Sequence, residues 1–132
     1  MTELPINDLT TFGDAAHTGS ALTTLNLLDE APEPDPQRPR PAVKRVLSAD
    51  GANLILFSFV PGQDLPDHKA AHPITVQVLR GTVTFTCGEN KEKLGPGRIV
   101  HLPAYVPHAV TCDKEPALML LTMLTPNTRA KV

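Results

Sequence analysis

Histidines are the residues of this sequence that are best suited to chemistry. His68 and His72 lie four positions apart in the stretch GQDLPDHKAAHPITVQVLRG, and His101 and His108 follow in RIVHLPAYVPHAV. A neutral imidazole binds divalent transition metals, and its charge changes close to physiological pH. A metal site needs about three such ligands or more, at about 2.0–2.2 Å from the ion. These four histidines are therefore the candidate ligands of a metal site.

The segments around the histidines have the alternation of β-strands. Seven short runs follow Val43 and are separated by turns: VKRVLS, NLILFSFV, ITVQVLRG, TVTFTCG, RIVHLP, HAVTC and ALMLLTML. Runs of β-branched and aromatic residues between turn residues favour strands, and no run is long enough for the crossover helices of a parallel sheet. The sequence predicts an all-β domain at residues 43–132, an antiparallel sandwich or jelly-roll barrel. A ligand would bind in its unfilled interior.

Residues 1–42 form a separate N-terminal segment in this interpretation. Ser20 as a helix cap and the leucines between residues 22 and 28 predict a short helix, although the threonines and Asn26 suit a strand equally. Five prolines in residues 31–41 exclude a helix there and predict an extended arm. An arm of this kind can add to the sheet edge of a second copy, so we expect a homodimer.

The composition limits the partners. The net charge is -2 over 132 residues, and lysine and arginine are scattered singly, so neither nucleic acid nor an anionic membrane is an expected partner. We find no pattern of a signal peptide and no apolar stretch of about 20 residues, and we expect a cytoplasmic protein that binds a small molecule. Cys87 and Cys112 are too few for a disulfide framework and are expected to be thiols of the core.

Two motifs resemble those of the cupins, small β-barrels in which two short motifs enclose a metal-holding pocket. The second cupin motif is Gly, five residues, Pro, one residue, Gly, two residues, His, three residues, Asn. Gly97, Pro103 and His108 are in register with it. Tyr105 replaces its second Gly and Cys112 replaces its Asn.

The first cupin motif is Gly, five residues, His-x-His, three or four residues, Glu, six residues, Gly. Gly62, His68 and Gly81 match its shorter form, but Ala70 replaces the second His and Ile74 replaces the Glu. The resemblance implies a cupin jelly roll. Cupins with complete motifs hold Fe, Mn, Zn or Ni through three histidines and a carboxylate. The resemblance therefore implies four ligand positions, and this sequence keeps two of the histidines.

A metal site therefore needs further ligands, because two histidines alone bind a metal weakly. His72 precedes Pro73, where the chain is expected to be irregular, and is the candidate to replace the histidine missing at residue 70. His101 is the second candidate. It could bind a metal only if its face of the strand looks inward and the face with Val100 and Leu102 looks outward. A divalent Zn, Ni, Fe or Mn ion would be the cofactor.

Three more polar residues lie near these histidines. Tyr105 is expected at the pocket rim, either as a hydrogen-bond donor to a bound ligand or as a solvated ring. Asp64 and Asp67 are expected to be solvated loop charges. Asp67 would point away from the pocket, because neighbouring residues of a strand face opposite sides.

Three classes of function stay open at this point. The first is a metal-dependent enzyme that acts on a small organic acid or a sugar-like substrate. The second is a sensor-like protein that binds a small molecule without catalysis, and we rank it almost level with the first. A cupin kept for a structural role ranks lower. The sequence names no general acid or base other than histidine, so the reaction type is open.

Overall fold

The computed structural model describes residues 3–19 and 21–125, which form two β-sheets packed face to face. These residues contain eleven strands: β1 (Ile6–Asn7), β2 (His17–Thr18), β3 (Ala42–Ala49), β4 (Ala52–Phe59), β5 (Asp64–Ala70), β6 (Ile74–Arg80), β7 (Val83–Cys87), β8 (Asn90–Leu94), β9 (Ile99–Leu102), β10 (His108–Thr111) and β11 (Ala117–Leu124). The first sheet has the order β1-β5-β10-β7-β8, and the second has the order β2-β3-β4-β11-β6-β9.

The predicted all-β fold is confirmed, and each of the seven predicted strands is present. All pairings are antiparallel except β1 with β5 and β2 with β3, so both sheets are mixed. The strand prediction missed the two-residue strands β1 and β2 and the longer strands β5 and β8. The hairpin of β7 and β8 turns at Gly88 and leaves β8 as an exposed edge, with only Leu94 buried. A polar edge strand of this kind lacks the apolar alternation on which the prediction depended.

Alternation along β4 divides the apolar residues between two clusters. Ile55, Phe57 and Phe59 face the space between the sheets and belong to the main core. Leu56 faces the opposite side of the second sheet, where it packs with Val46, Leu118 and Leu120. Leucines 25 and 27 of the N-terminal segment pack on this outer cluster. The segment therefore covers part of a sheet face that would otherwise be apolar and exposed.

The predicted helix near residues 20–30 is wrong. Ser20, its expected cap, lies outside the described residues, and the chain around Asn26 forms a single turn. The side-chain oxygen of Asn26 accepts the N–H of Leu28 at 3.1 Å, and its carbonyl accepts the N–H groups of Asp29 and Glu30. An asparagine that bonds its own backbone in this way favours a turn, and Pro32 follows too closely for a second helical turn.

The N-terminal segment closes one side of the molecule. Strand β1 pairs with β5 at the edge of one sheet, and β2 pairs with β3 at the edge of the other. Between them Leu9 and Phe12 pack against the main core, and the ring of Phe12 meets Phe57 edge-on at 5.7 Å. These strands pair with edges of their own chain. Addition of the proline-rich arm to a neighbour, and with it the homodimer, stays a prediction.

Gly81 fixes the turn between β6 and β7. Its φ is +73°, and a Cβ atom at this position would lie 2.1 Å from the carbonyl oxygen of Pro116. Only glycine combines this backbone conformation with so close an approach. The residues described include no helix that is long and apolar enough to cross a membrane.

Candidate functional site

His68 and His108 are direct partners on the neighbouring strands β5 and β10. His108 shares the inner face of β10 with the core residue Val110, so the pair lies on the inner side of the sheet. The two ring centroids are 4.2 Å apart, with 59° between the ring planes. Phe85 stacks on His108 at 5.4 Å and 14°. The pair predicted from the two motifs is thus brought together against the core.

Backbone carbonyls fix the tautomer of both histidines. Nδ1 of His68 lies 2.8 Å from the oxygen of Pro66, and Nδ1 of His108 lies 2.9 Å from the oxygen of Val106. A carbonyl oxygen only accepts hydrogen bonds, so each Nδ1 donates its proton. In the neutral rings each Nε2 then carries a lone pair. Neither Nε2 has a hydrogen-bond partner among residues 3–19 and 21–125.

Burial keeps these imidazoles neutral. For both rings, loss of solvent lowers the pKa below 6.5, while the hydrogen bond to the backbone and the charge of Asp67 raise it by less. The neighbouring His68 lowers the pKa of His108 further. At pH 7 the pair therefore presents two hydrogen-bond acceptors, which are also two potential metal ligands.

A bulge interrupts strand β5 next to Asp67. His108 pairs with His68 and Val110 pairs with Leu65, so two steps along β10 oppose three along β5. The extra residue breaks the alternation, and Asp67, which is exposed, lines the same pocket as His68. The alternation on which the expected direction of Asp67 depended is therefore interrupted. Pro66 was the available signal, since proline within a strand is found at edges and bulges.

A pocket of about 280 Å³ opens beside His68, between β5, the start of β3 and the N-terminal segment. Its apolar wall includes Phe12, Phe57 and Leu65, and its polar groups include Arg40, Asp67 and His68. Arg40 is already engaged, because its Nη1 donates to Asp64 at 2.8 Å. Sequence reasoning missed Arg40 and Phe12, because the N-terminal residues reach this pocket only through tertiary contacts.

The two positions at which the cupin motif has its second His and its Glu hold apolar residues here. Ala70 is 5% exposed and Ile74 is 1% exposed, and both belong to the main core. Within the described part of the chain, no three His, Cys, Asp or Glu residues come together as a group that could hold a metal ion. The donor set therefore supplies two ligands, and a metal would need its other ligands from water or from a bound molecule.

The other predicted ligands, His72 and His101, do not complete this set. His72 lies in the bend between β5 and β6. His101 pairs with Thr75 on β9 and is exposed, while Val100 and Leu102 pack against the core, so His101 is on the outer face. Its Nδ1 donates to the carbonyl of Ile74 at 2.9 Å. Metal binding by any of the four histidines stays a prediction.

Tyr105 adopts the left-handed conformation that suits glycine. Its φ is +65°, and its N–H donates to the carbonyl of Ala70 at 2.7 Å. The side chain is 55% exposed and does not line the pocket beside His68. The positive φ explains why a glycine stands here in the cupin motif. A role for the ring in ligand binding stays a prediction.

The two cysteines are free thiols. Cys112 is 2% exposed, its Sγ donates to the carbonyl of Glu115, and burial raises the pKa of its thiol. Cys87 is half-buried against the main core. Both are thiols that pack with apolar residues, as expected.

Comparison with known proteins identifies the family. The family model described as the cupin domain matches residues 55–123, which include both motifs and the histidine pair. The chain is a cupin. Among curated proteins, none matches this cupin significantly.

Solved structures share its fold. An RmlC-like cupin from Desulfovibrio desulfuricans is 26% identical with a TM-score of 0.67, and the match covers 79% of this chain and 97% of that one. A protein from Thermus thermophilus is 27% identical with a TM-score of 0.65, and the match covers 77% and 98%. The DMSP lyase DddQ of Ruegeria pomeroyi DSS-3 is 23% identical with a TM-score of 0.60, and the match covers 69% and 50%. This last likeness concerns the fold alone.

Proposed function

We propose that this cupin binds a small organic molecule at His68 and His108 without a permanently held metal. One observation carries the proposal: two neutral imidazoles present free Nε2 atoms, while apolar core residues fill the two other ligand positions, 70 and 74. A pocket with an apolar wall and a few convergent polar groups is the usual form of a small-molecule site. A donor set of two imidazoles is too small for tight metal binding.

The first test is the metal content of the purified, untagged protein, measured by elemental mass spectrometry before and after incubation with Zn, Ni, Fe and Mn. We expect far less than one metal ion per chain in each case. Near-stoichiometric metal that is lost in the His68→Gln variant would contradict the proposal.

The second test is ligand binding. A set of small fragments, with acidic, basic and neutral members, is screened by NMR against protein labelled with ¹⁵N in its histidine rings. We expect at least one fragment to shift the Nε2 resonances, and we expect His68→Gln to abolish its binding. His101→Gln is the matched control, because His101 lies on the outer face and should not affect binding. Fragments that bind equally well to the His68→Gln variant would place the site elsewhere.

A metal-dependent enzyme is the second candidate, and the tautomer of the pair favours it. Metal-binding histidines usually donate their second ring nitrogen to a carbonyl or a carboxylate, as both Nδ1 atoms do here. A metal held by the two Nε2 atoms would act as a Lewis acid or a redox centre, and a chelating substrate would have to supply further ligands. Metal uptake that occurs only together with a chelating acid would favour this candidate.

A further inference from the structure

We infer that the ligand of this pocket carries a protonated amine on a small apolar body, an inference that depends on the proposed function. The polar side chains that line the pocket are those of Asn7, Arg40, Asp67 and His68. Two of them present acceptors without a partner in the described residues, the carboxylate of Asp67 and the Nε2 of His68, and the ring of His108 lies against His68 outside the lining. A ligand that satisfies acceptors must bring donors, and an ammonium group brings three.

The charges around the pocket also favour a positively charged ligand. Arg40 is the cation among the lining residues. Its ion pair with Asp64, at 2.8 Å, neutralises its charge. Asp67 has no ion pair within residues 3–19 and 21–125. The carboxylate of Asp67 is therefore the unpaired charge of the pocket lining. A carboxylate ligand would meet this charge, whereas an ammonium group would neutralise it.

The apolar wall sets the rest of the ligand. Phe12 and Phe57 meet edge-on, and Leu65 lies on the same side of β5 as His68. A volume of about 280 Å³ equals about nine water molecules at about 30 Å³ each, which suits a body the size of a benzyl group. A cation near aromatic rings gains a further attraction. The lining thus combines an acceptor end with an apolar end.

Three probes with one shared ring test the sign of the ligand charge: benzylamine, benzyl alcohol and benzoate. Each is titrated into EDTA-treated full-length protein at pH 7, and the dissociation constant is taken from the NMR shifts of the backbone and of the histidine Nε2 atoms. We expect benzylamine to bind about tenfold more tightly than benzyl alcohol, since a charged hydrogen bond contributes more than a neutral one, and benzoate to bind most weakly.

Variants then assign the effect to Asp67. Asp67→Asn should weaken benzylamine binding about tenfold and leave benzyl alcohol unchanged, and Asp67→Glu, which keeps the charge, should retain the preference for the amine. Asp113→Asn is the matched control, because it removes one charge from a different pocket. Asp64→Asn should improve benzoate binding, because it releases Arg40.

Three outcomes would overturn the inference and spare the proposed function. The first is tighter binding of benzoate than of benzylamine, lost in His68→Gln. The second is unchanged benzylamine binding in Asp67→Asn. The third is failure of all three probes when the fragments that bind in a His68-dependent way include no amine. The absence of any His68-dependent hit in that set would refute the proposed function itself.

Discussion

Replacement of Ile74 by glutamate should make this protein less stable without metal and more stable with it. Ile74 is 1% exposed and packs in the main core, at the position where the cupin motif has its carboxylate. Loss of a buried isoleucine side chain costs about 2–5 kcal/mol, and a buried carboxylate adds its own desolvation cost. We expect the free energy of unfolding to fall by about 4 kcal/mol in EDTA. The free energy of unfolding of the Ile74→Gln variant, whose side chain has the shape of glutamate, should fall by a similar amount.

Metal should then separate the two variants. The introduced carboxylate would join His68 and His108 in a set of two histidines and one carboxylate, which divalent transition metals bind. At a metal concentration about 100 times the dissociation constant, binding adds about 2.7 kcal/mol. For a domain of this size, that is a rise of about 10 °C in the melting temperature. Thermal unfolding with and without Mn²⁺ measures it.

Two results would refute the reasoning behind this experiment. If the Ile74→Glu variant were as stable as the natural protein in EDTA, residue 74 would not be buried as the structure places it. If Mn²⁺ raised the melting temperature of the Glu and Gln variants equally, residue 74 would not face the histidine pair.

Three further predictions concern the backbone and the pH. Gly81→Ala should lower the free energy of unfolding, measured by urea denaturation, by about 4 kcal/mol, because the new Cβ would clash with the backbone. Gly62→Ala is the comparison: its φ is +93° but the space around it is open, so it should lower the free energy of unfolding by about 1 kcal/mol. Tyr105→Gly should be about 1 kcal/mol more stable than Tyr105→Ala by the same measurement, because φ is +65° there; equal stability would contradict the assigned conformation. Stability should fall as the pH drops below 6.5, because the lowered pKa values of His68 and His108 make the unfolded chain bind more protons there. Substitution of both histidines by Gln should reduce the change of the urea midpoint between pH 7 and pH 5.5. If the midpoint still changed with pH as in the natural protein, that result would argue against burial of the pair.

Much of the fold could be predicted, because alternation and turn residues are local signals. β4 and β11 have long apolar runs between turns, and they pair along their full length. The histidine pair could be predicted as well, since the two motifs place His68 and His108 at fixed distances from their glycine turns. These features depend on sequence spacing alone.

The remaining features depend on contacts between distant segments. Strand β5 contains Pro66 and charged residues, and it is a strand because β10 pairs with it on one side and β1 on the other. The alternation next to Asp67 is interrupted by a bulge that exists only in that pairing. The face of His101 follows from how β9 packs beside β6, which alternation alone does not determine.

Core packing and metal binding compete for the same inward positions of this barrel, and the outcome decides which ligands fit. A metal-bearing site adds two positive charges and therefore attracts anionic groups. Ala70 and Ile74 contribute to the core instead, and burial of an isoleucine side chain stabilises a fold by about 1.5–3 kcal/mol. Without a fixed cation, the same two imidazoles become acceptors beside the carboxylate of Asp67. The preferred ligand then changes from a group with negative charge to a group that donates hydrogen bonds, and the comparison of benzylamine with benzoate measures that change directly.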